Sequence, residues 1–132
     1  MAVRGHISGK DGIYAAALLT EMLAVTGKSI SALYREITDQ YGELRCREAD
    51  FRMTPERKAQ LQRLLFEEKI LPDFPGIGSV SREDGVKCRL ADGSWVICRF
   101  SGTEPLLRMA SEAETGEEAE ALIGKWRALL SL

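Results

Sequence analysis

Two short strand-like runs, Val86-Lys87-Cys88-Arg89-Leu90 and Ser94-Trp95-Val96-Ile97-Cys98-Arg99, flank an Asp92-Gly93 pair, and no other feature constrains the fold as tightly. Asp-Gly between apolar-rich runs is a strong short-range hairpin signal. A lone hairpin is marginal in water, so neighbouring segments must extend it into a sheet. Residues 106–113 read as the next strand, and residues 44–52 alternate loosely enough to be another. Thr54-Pro55 opens a helix that runs to about Glu68, with Leu61, Leu64 and Leu65 inward. Pro72, Pro75, Gly76 and Gly78 make residues 71–79 a connection. Thr115 and Glu118 have capping-box spacing, and Ala119, Leu122, Ile123, Trp126 and Leu130 follow at helical intervals. The order from residue 44 is strand, helix, two hairpin strands, strand, helix. It predicts an α+β fold, a small and mostly antiparallel four-stranded sheet with helices on one face.

Two helices precede that unit. Asp11 can cap a helix over residues 11–26, and Gly27 fits just past its end. Ile13, Ala16, Ala17, Leu19, Met22 and Leu23 cover most of its circumference, so it calls for burial on more than one side. Ser29 caps a second helix over residues 30–40, where Ile30, Leu33, Tyr34 and Ile37 form the stripe and Tyr41-Gly42 the stop.

Charge and cysteine usage narrow the function classes. A net charge of -2 with no basic block gives no footprint for nucleic acid or an anionic membrane surface. No run reaches the roughly 20 apolar residues of a membrane span, and the opening Met-Ala-Val-Arg-Gly-His lacks a signal peptide's apolar core. Trp95, Phe100 and Trp126 read as core or loop-packing residues, not as a stacking platform. With a two-residue turn at Asp92-Gly93, Cys88 falls opposite Ile97 and Cys98 opposite Lys87, on opposite sheet faces. That register argues against a disulfide between them, and reduced thiols in a cytoplasmic protein are expected. His6 is the only histidine, so a multi-histidine metal site is excluded.

The chemistry concentrates in Arg99-Phe100-Ser101-Gly102-Thr103-Glu104-Pro105, with Arg108 three residues beyond. Arginine presents a planar fork of donors that matches two phosphate oxygens. Ser and Thr hydroxyls and loop amides add donors, and glycine admits a ligand close to the backbone. Arg99, Ser101, Gly102 and Thr103 are the candidate phosphate ligands. Arg108 either joins them or pairs with Glu112 or another acid. Glu104 would repel a dianion and is read as orienting an arginine or the loop backbone, and Pro105 as fixing the turn. The bland alternative is a polar turn with solvated arginines.

Arg-Phe-Ser-Gly-Thr-Glu-Pro-Leu-Leu-Arg resembles the phosphate loop of the α-D-phosphohexomutases, the phosphoglucomutase/phosphomannomutase family, which commonly reads Arg-Pro-Ser-Gly-Thr-Glu-Pro. Asp84-Gly85-Val86-Lys87 and Asp92-Gly93-Ser94-Trp95-Val96 resemble the same family's final domain. Gly5-His6-Ile7-Ser8-Gly9-Lys10-Asp11-Gly12-Ile13 is similar to its Gly-His-Ile-Pro-x-Lys-Asp-Gly-Ile, late in the third domain. Phe100 and Ser8 stand where that pattern has proline, which puts the stiffness of both turns in question.

The resemblance implies a TBP-like C-terminal domain at residues 44–132, a linker helix at 29–43, and the tail of the preceding domain at 1–28. On that reading the chain is a C-terminal fragment whose exposed first helix packs on the C-terminal domain or on a second copy. The resemblance also implies chemistry: a phosphoserine exchanges its phosphoryl group with a hexose phosphate through a bisphosphorylated sugar, aided by Mg2+. The final domain holds the phosphate that is not reacting. Lys10 matches a family lysine that faces the phosphosugar, and a solvated helix-start lysine fits it as well. His6 matches the motif histidine, a candidate substrate contact, but with no partner visible in the sequence a structural imidazole is the better reading than a general acid. No Thr-Ala-Ser-His-Asn-Pro, Asp-Gly-Asp-x-Asp-Arg or Gly-Glu-x-Ser-Gly segment occurs in the 132 residues. The catalytic serine, the metal ligands and the sugar readers are therefore expected elsewhere in the parent, and the chain alone is expected to be inactive. The competing reading is a stand-alone anion-binding or interaction module of the same fold.

Overall fold

The computed structural model describes residues 4–7 and 9–132. Two compact units divide at residues 43 and 44. The first holds α1 (Gly12–Thr26) and α2 (Ile30–Tyr41). Asp11 caps α1 by accepting from the Tyr14 amide, and Gly27 closes it in the left-handed region at φ 64°. Ser29 caps α2 by accepting from the Ala32 amide. Neither helix buries a residue, and Ile13, Leu19, Met22 and Val25 of α1 are exposed. Among the described residues no single helix is long and apolar enough to cross a membrane; α1 and α2 meet that length and composition only as a pair bent by 85°. Ser8, the departure from the proline pattern, lies outside the described residues.

The second unit is the predicted α+β fold. β1 (Arg45–Arg52), α3 (Pro55–Gln62), β2 (Ile77–Ser81), β3 (Val86–Leu90), β4 (Trp95–Phe100), β5 (Leu106–Ala113) and α4 (Gly116–Leu130) follow in that order. The strands form one antiparallel sheet in the order β1-β5-β4-β3-β2. It has five strands, one more than the sequence reading gave. The addition is β2, which begins inside the segment read as a connection. Its glycines mask it: the β2–β3 register shifts between Ile77 and Ser79, around Gly78, an irregularity typical of an edge strand.

Alternation sorts the strands into two faces. Val86, Cys88, Val96, Cys98, Leu107, Met109 and Ala113 are buried on one, against Leu61 and Leu65 after the α3 start and Ala119, Ile123, Trp126 and Leu130 of α4. The Trp126 ring meets Phe74 edge-on, with centroids 6.4 Å apart. Thr115 and Glu118 form the capping box, each accepting from the other's backbone amide. α3 passes into a π turn, Arg63–Glu67, where Arg82 donates to the Leu65 and Lys69 carbonyls. Among the aromatics read as packing residues, Trp126 is core, whereas Trp95 lies half-buried on the other face. There its indole N–H donates to Glu112 at 2.8 Å and Lys87 sits 3.7 Å from its ring.

The hairpin register differs from expectation by one residue. Cys88 pairs with Val96 and Cys98 with Val86, so both thiols face the core. The loop holds three residues, not two. The Gly93 amide donates to the Leu90 carbonyl, Gly93 takes φ 90°, and the Leu90 amide donates to the Ser94 carbonyl. One extra loop residue flips every side chain of a strand to the other face. The three cysteines are free. Burial, and to a lesser degree Cys88 beside it, pushes the Cys98 thiol up to about 12. The folded state therefore keeps a proton that the unfolded chain releases above its ordinary value of 9.0. Stability is full below that pH and falls as pH rises through the window up to about 12. Chemical denaturation between pH 8 and 11 is expected to show a loss approaching about 1.4 kcal/mol per pH unit above about pH 9, diminished in Cys98→Ser.

Candidate functional site

The open face of the sheet carries the site. Arg99 of β4 and Arg108 of β5 are direct cross-strand partners. Like charges directly opposite each other destabilise a sheet unless counter-charges or an anion answer them. Here carboxylates do so. The Asp84 carboxylate accepts from Arg99 Nη1 at 3.0 Å. Arg108 Nη2 donates to Glu104, and Arg108 Nε lies 3.9 Å from Asp50, its partner on β1. Arg108 therefore pairs with acids, but not with Glu112, which is occupied by Trp95. Glu104 orients an arginine as the sequence suggested. Every side chain in these pairs is at least 40% exposed, so each pair contributes little to stability; their importance is positional. Glu48, Asp50, Ile97, Arg99, Arg108 and Ala110 line a cavity of about 130 Å³ between the arginines and β1.

The loop from residue 101 to 105 closes the same end of the sheet. The Ser101 amide donates to the Leu106 carbonyl at 2.9 Å, and the Leu106 amide to the Glu104 carbonyl at 2.8 Å. The Met53 amide donates to the Pro105 carbonyl at 3.0 Å, which fastens the loop exit to the end of β1. Gly102 and Thr103 are exposed, and their amides and the Ser101 and Thr103 hydroxyls make no hydrogen bond among the described residues. Phe100 stands where the family pattern has proline, and its side chain packs instead of turning outward. It is half-buried on the core side, its ring centroid 6.4 Å from that of Phe66, with Lys58 Nζ 5.8 Å away. An anchored loop with free donors, beside two arginines at facing positions, has the donor chemistry that an oxyanion or phosphate site needs.

Sequence reading missed Asp84 and Gly85 as site residues. Val86 pairs with Cys98, so Gly85 falls beside Arg99. A Cβ at Gly85 would lie 2.5 Å from Arg99 Cβ and 2.6 Å from the Cys98 carbonyl oxygen, and its φ is 96°. The absence of that Cβ lets the β3 entry close on Arg99 and brings Asp84 to its guanidinium. Register arithmetic from the correct three-residue loop would have found this contact.

The remaining candidates, His6 and Lys10, lie in the first unit. His6 Nε2 is 2.8 Å from Asp11 Oδ2, and its ring stacks on Tyr14 with centroids 3.9 Å apart. The bond from the Tyr14 amide, helped by His6, holds the Asp11 carboxyl below the usual range. His6 thus braces the α1 cap, while Lys10 is exposed. A larger cavity of about 420 Å³ lies at the far end of the sheet, by the Asp92 turn. Its Asp92 is held by Ser94 and its Glu118 by the α4 cap, and it offers no cation to a phosphate.

Comparison with known proteins places these features in a family. The C-terminal domain of phosphoglucomutase/phosphomannomutase matches residues 43–127, and the alpha/beta/alpha domain III of the same proteins matches residues 1–41. A probable phosphoglucosamine mutase of Thermococcus kodakarensis is 35% identical over 116 residues, covering 87% of this chain and 24% of that protein. One from Methanopyrus kandleri is 37% identical over 112 residues, 85% of this chain and 23% of its own length. A phosphoglucomutase/phosphomannomutase of Thermococcus kodakarensis is 33% identical over 113 residues, 86% of this chain and 23% of its own. The chain spans about a quarter of the length of these relatives.

Proposed function

This chain belongs to the phosphoglucomutase/phosphomannomutase family, and from that premise we propose that its second unit holds a hexose phosphate by the phosphate that is not reacting. The observation that carries the reading is the facing pair Arg99 and Arg108 beside a loop whose Gly102 and Thr103 amides and Ser101 and Thr103 hydroxyls are unspent. Arg99 forks onto the phosphate, the loop donors close round it, and Arg108 joins through whatever part of its guanidinium Glu104 and Asp50 leave open. Each bond to the charged group contributes roughly 1.5–3 kcal/mol. Gripping a remote phosphate in this way holds the reacting end of the sugar in line and restrains it during transfer.

The whole reaction belongs, on this reading, to a mutase in which the chain is one part. A phosphoserine outside these 132 residues phosphorylates the bound hexose phosphate, and the bisphosphorylated sugar returns its other phosphate to the serine. Hexose 1-phosphate and hexose 6-phosphate are thereby interconverted. Lys10 and His6 are carried over as contacts to the phosphosugar, His6 with the stronger claim of the α1 cap on it. Mg2+ serves the parent, but the described residues of this chain do not fit it. Asp84, Asp50 and Glu104 each face an arginine, and the described residues bring no three acidic, histidine or cysteine side chains together as ligands. No step is assigned to the ion here. The exposed α1 is the surface by which the chain meets the rest of the mutase or a second copy of itself.

The 31P spectrum of glucose 6-phosphate tests both halves of the proposal. Addition of the chain is expected to shift and broaden the 6-phosphate line, with no hexose 1-phosphate line growing in. An unchanged line at several times the protein concentration would contradict the phosphate role. A growing 1-phosphate line would contradict the dependence on a serine elsewhere.

A further inference from the structure

We propose that Asp84 is a positioning residue of the phosphate site, holding the Arg99 guanidinium so that its Nε–Nη2 edge is presented to the anion; this rests on the phosphate reading above. A guanidinium can grip a phosphate with two parallel bonds along one edge. Asp84 takes Arg99 through Nη1 alone, at 3.0 Å, and Nε and Nη2 make no other bond among the described residues. Arg108 shows the opposite pattern. Glu104 is on its Nη2, and its Nε is buried, 3.9 Å from Asp50 and without a hydrogen-bond partner, so that edge is closed to a phosphate by Glu104 and by burial. Of the two facing arginines, only Arg99 has that edge clear.

An acid beside an anion site can act in two opposed ways. As a tether it restricts a long, rotamer-rich side chain to the binding geometry before the ligand arrives. As a competitor it occupies the guanidinium and repels the incoming charge. Geometry favours the tether, because a competing carboxylate would cover the Nε–Nη2 edge. Exposure favours it as well. The Asp84 side chain is 80% exposed, so its repulsion of a phosphate acts through water, where unit charges a few ångströms apart interact by only about 1 kcal/mol. The position is also built into the fold: the missing Cβ of Gly85 lets β3 close on Arg99, and the carboxylate one residue earlier reaches the guanidinium at 3.0 Å.

The two roles differ in what alanine and asparagine do at this position. Asp84→Ala removes both tether and charge, whereas Asp84→Asn keeps an oxygen that accepts from Nη1 and removes only the charge. Affinity for inorganic phosphate is read from amide shifts of residues 99–103 in the 132-residue chain, with the Arg99 Nε–H signal followed alongside. The expected result is about fivefold weaker binding in Asp84→Ala with a broadened Arg99 Nε–H signal. Asp84→Asn is expected to bind at least as well as the parent and to keep that signal sharp. Unchanged or tighter binding by Asp84→Ala, or equal weakening by both variants, overturns the tether. Absence of any shift at residues 99–103 in the parent chain overturns the phosphate reading itself, and the tether with it. Equal melting temperatures for the three chains establish that the contrast is local.

Discussion

In a full-length phosphohexomutase carrying this domain, Arg99→Ala lowers kcat/KM by about a hundredfold, with kcat falling as well as KM rising. Two charge-assisted bonds to a phosphate, each contributing at least about 1.5 kcal/mol, sum to about 3 kcal/mol, which is two powers of ten in rate. On the proposed role the loss extends to kcat, because the phosphate held is remote from the chemistry and its binding energy aligns the reacting end. Arg99→Lys keeps the charge and loses the fork, and falls between the two. Arg89 lies on the same sheet face, one pair beyond Ile97 and next to Trp95, away from the loop; Arg89→Ala changes kcat/KM by less than about threefold, as expected for an exposed charge outside the site. Stability does not confound the comparison. The Arg99–Asp84 pair is 47% exposed on one side and 80% on the other, and its loss shifts unfolding by less than about 1 kcal/mol. Steady-state kinetics of the three variants with hexose 1-phosphate and 6-phosphate as substrates check this. Arg99→Ala kinetics within twofold of the parent would remove Arg99 from the site.

Gly85→Ala is expected to cost about 3 kcal/mol and to lower the melting midpoint by roughly 10 °C. The added methyl meets Arg99 Cβ at 2.5 Å and the Cys98 carbonyl oxygen at 2.6 Å. Those atoms belong to a central strand, so neither can swing aside as a flexible side-chain tip would. The φ of 96° adds the strain of a region that residues with a Cβ avoid. Gly93 is the natural control. Its φ is 90°, but a Cβ there meets nothing within 4 Å, so Gly93→Ala bears only the backbone term, about 1 kcal/mol. Thermal denaturation of the two variants separates close approach from conformation. Similar losses at both positions would mean that Gly85 is a turn glycine and nothing more.

Much of this molecule is legible in its residues. Thr115 with Glu118 marks the start of α4, Thr54-Pro55 the start of α3, and the alternation at residues 106–113 a strand with one buried face. Each of those signals is local and has one physical meaning. The errors arose where one residue changes the meaning. Asp92-Gly93 suits a two-residue turn and also the three-residue loop that is present, and the difference decides which face Cys88 and Cys98 occupy. β2 was hidden because Gly76 and Gly78 look like loop when they belong to the approach and irregularity of an edge strand. Arg99 and the Ser-Gly-Thr loop stand out in the sequence as a candidate phosphate motif. Their setting was not: the facing of Arg99 and Arg108, and the approach of Asp84 over Gly85, depend on register across three strands. In sequence Phe100 is only a departure from a proline pattern; its packing near Phe66 depends on the fold.

The most direct test of the central claim is a two-dimensional amide NMR titration of the 132-residue chain with glucose 6-phosphate, with unphosphorylated glucose and Arg99→Ala as controls. A preformed phosphate site predicts saturable shifts centred on residues 99–103, lost in the variant and absent with glucose. Shifts of equal size with glucose, or shifts that persist in Arg99→Ala, would contradict a site built on that arginine.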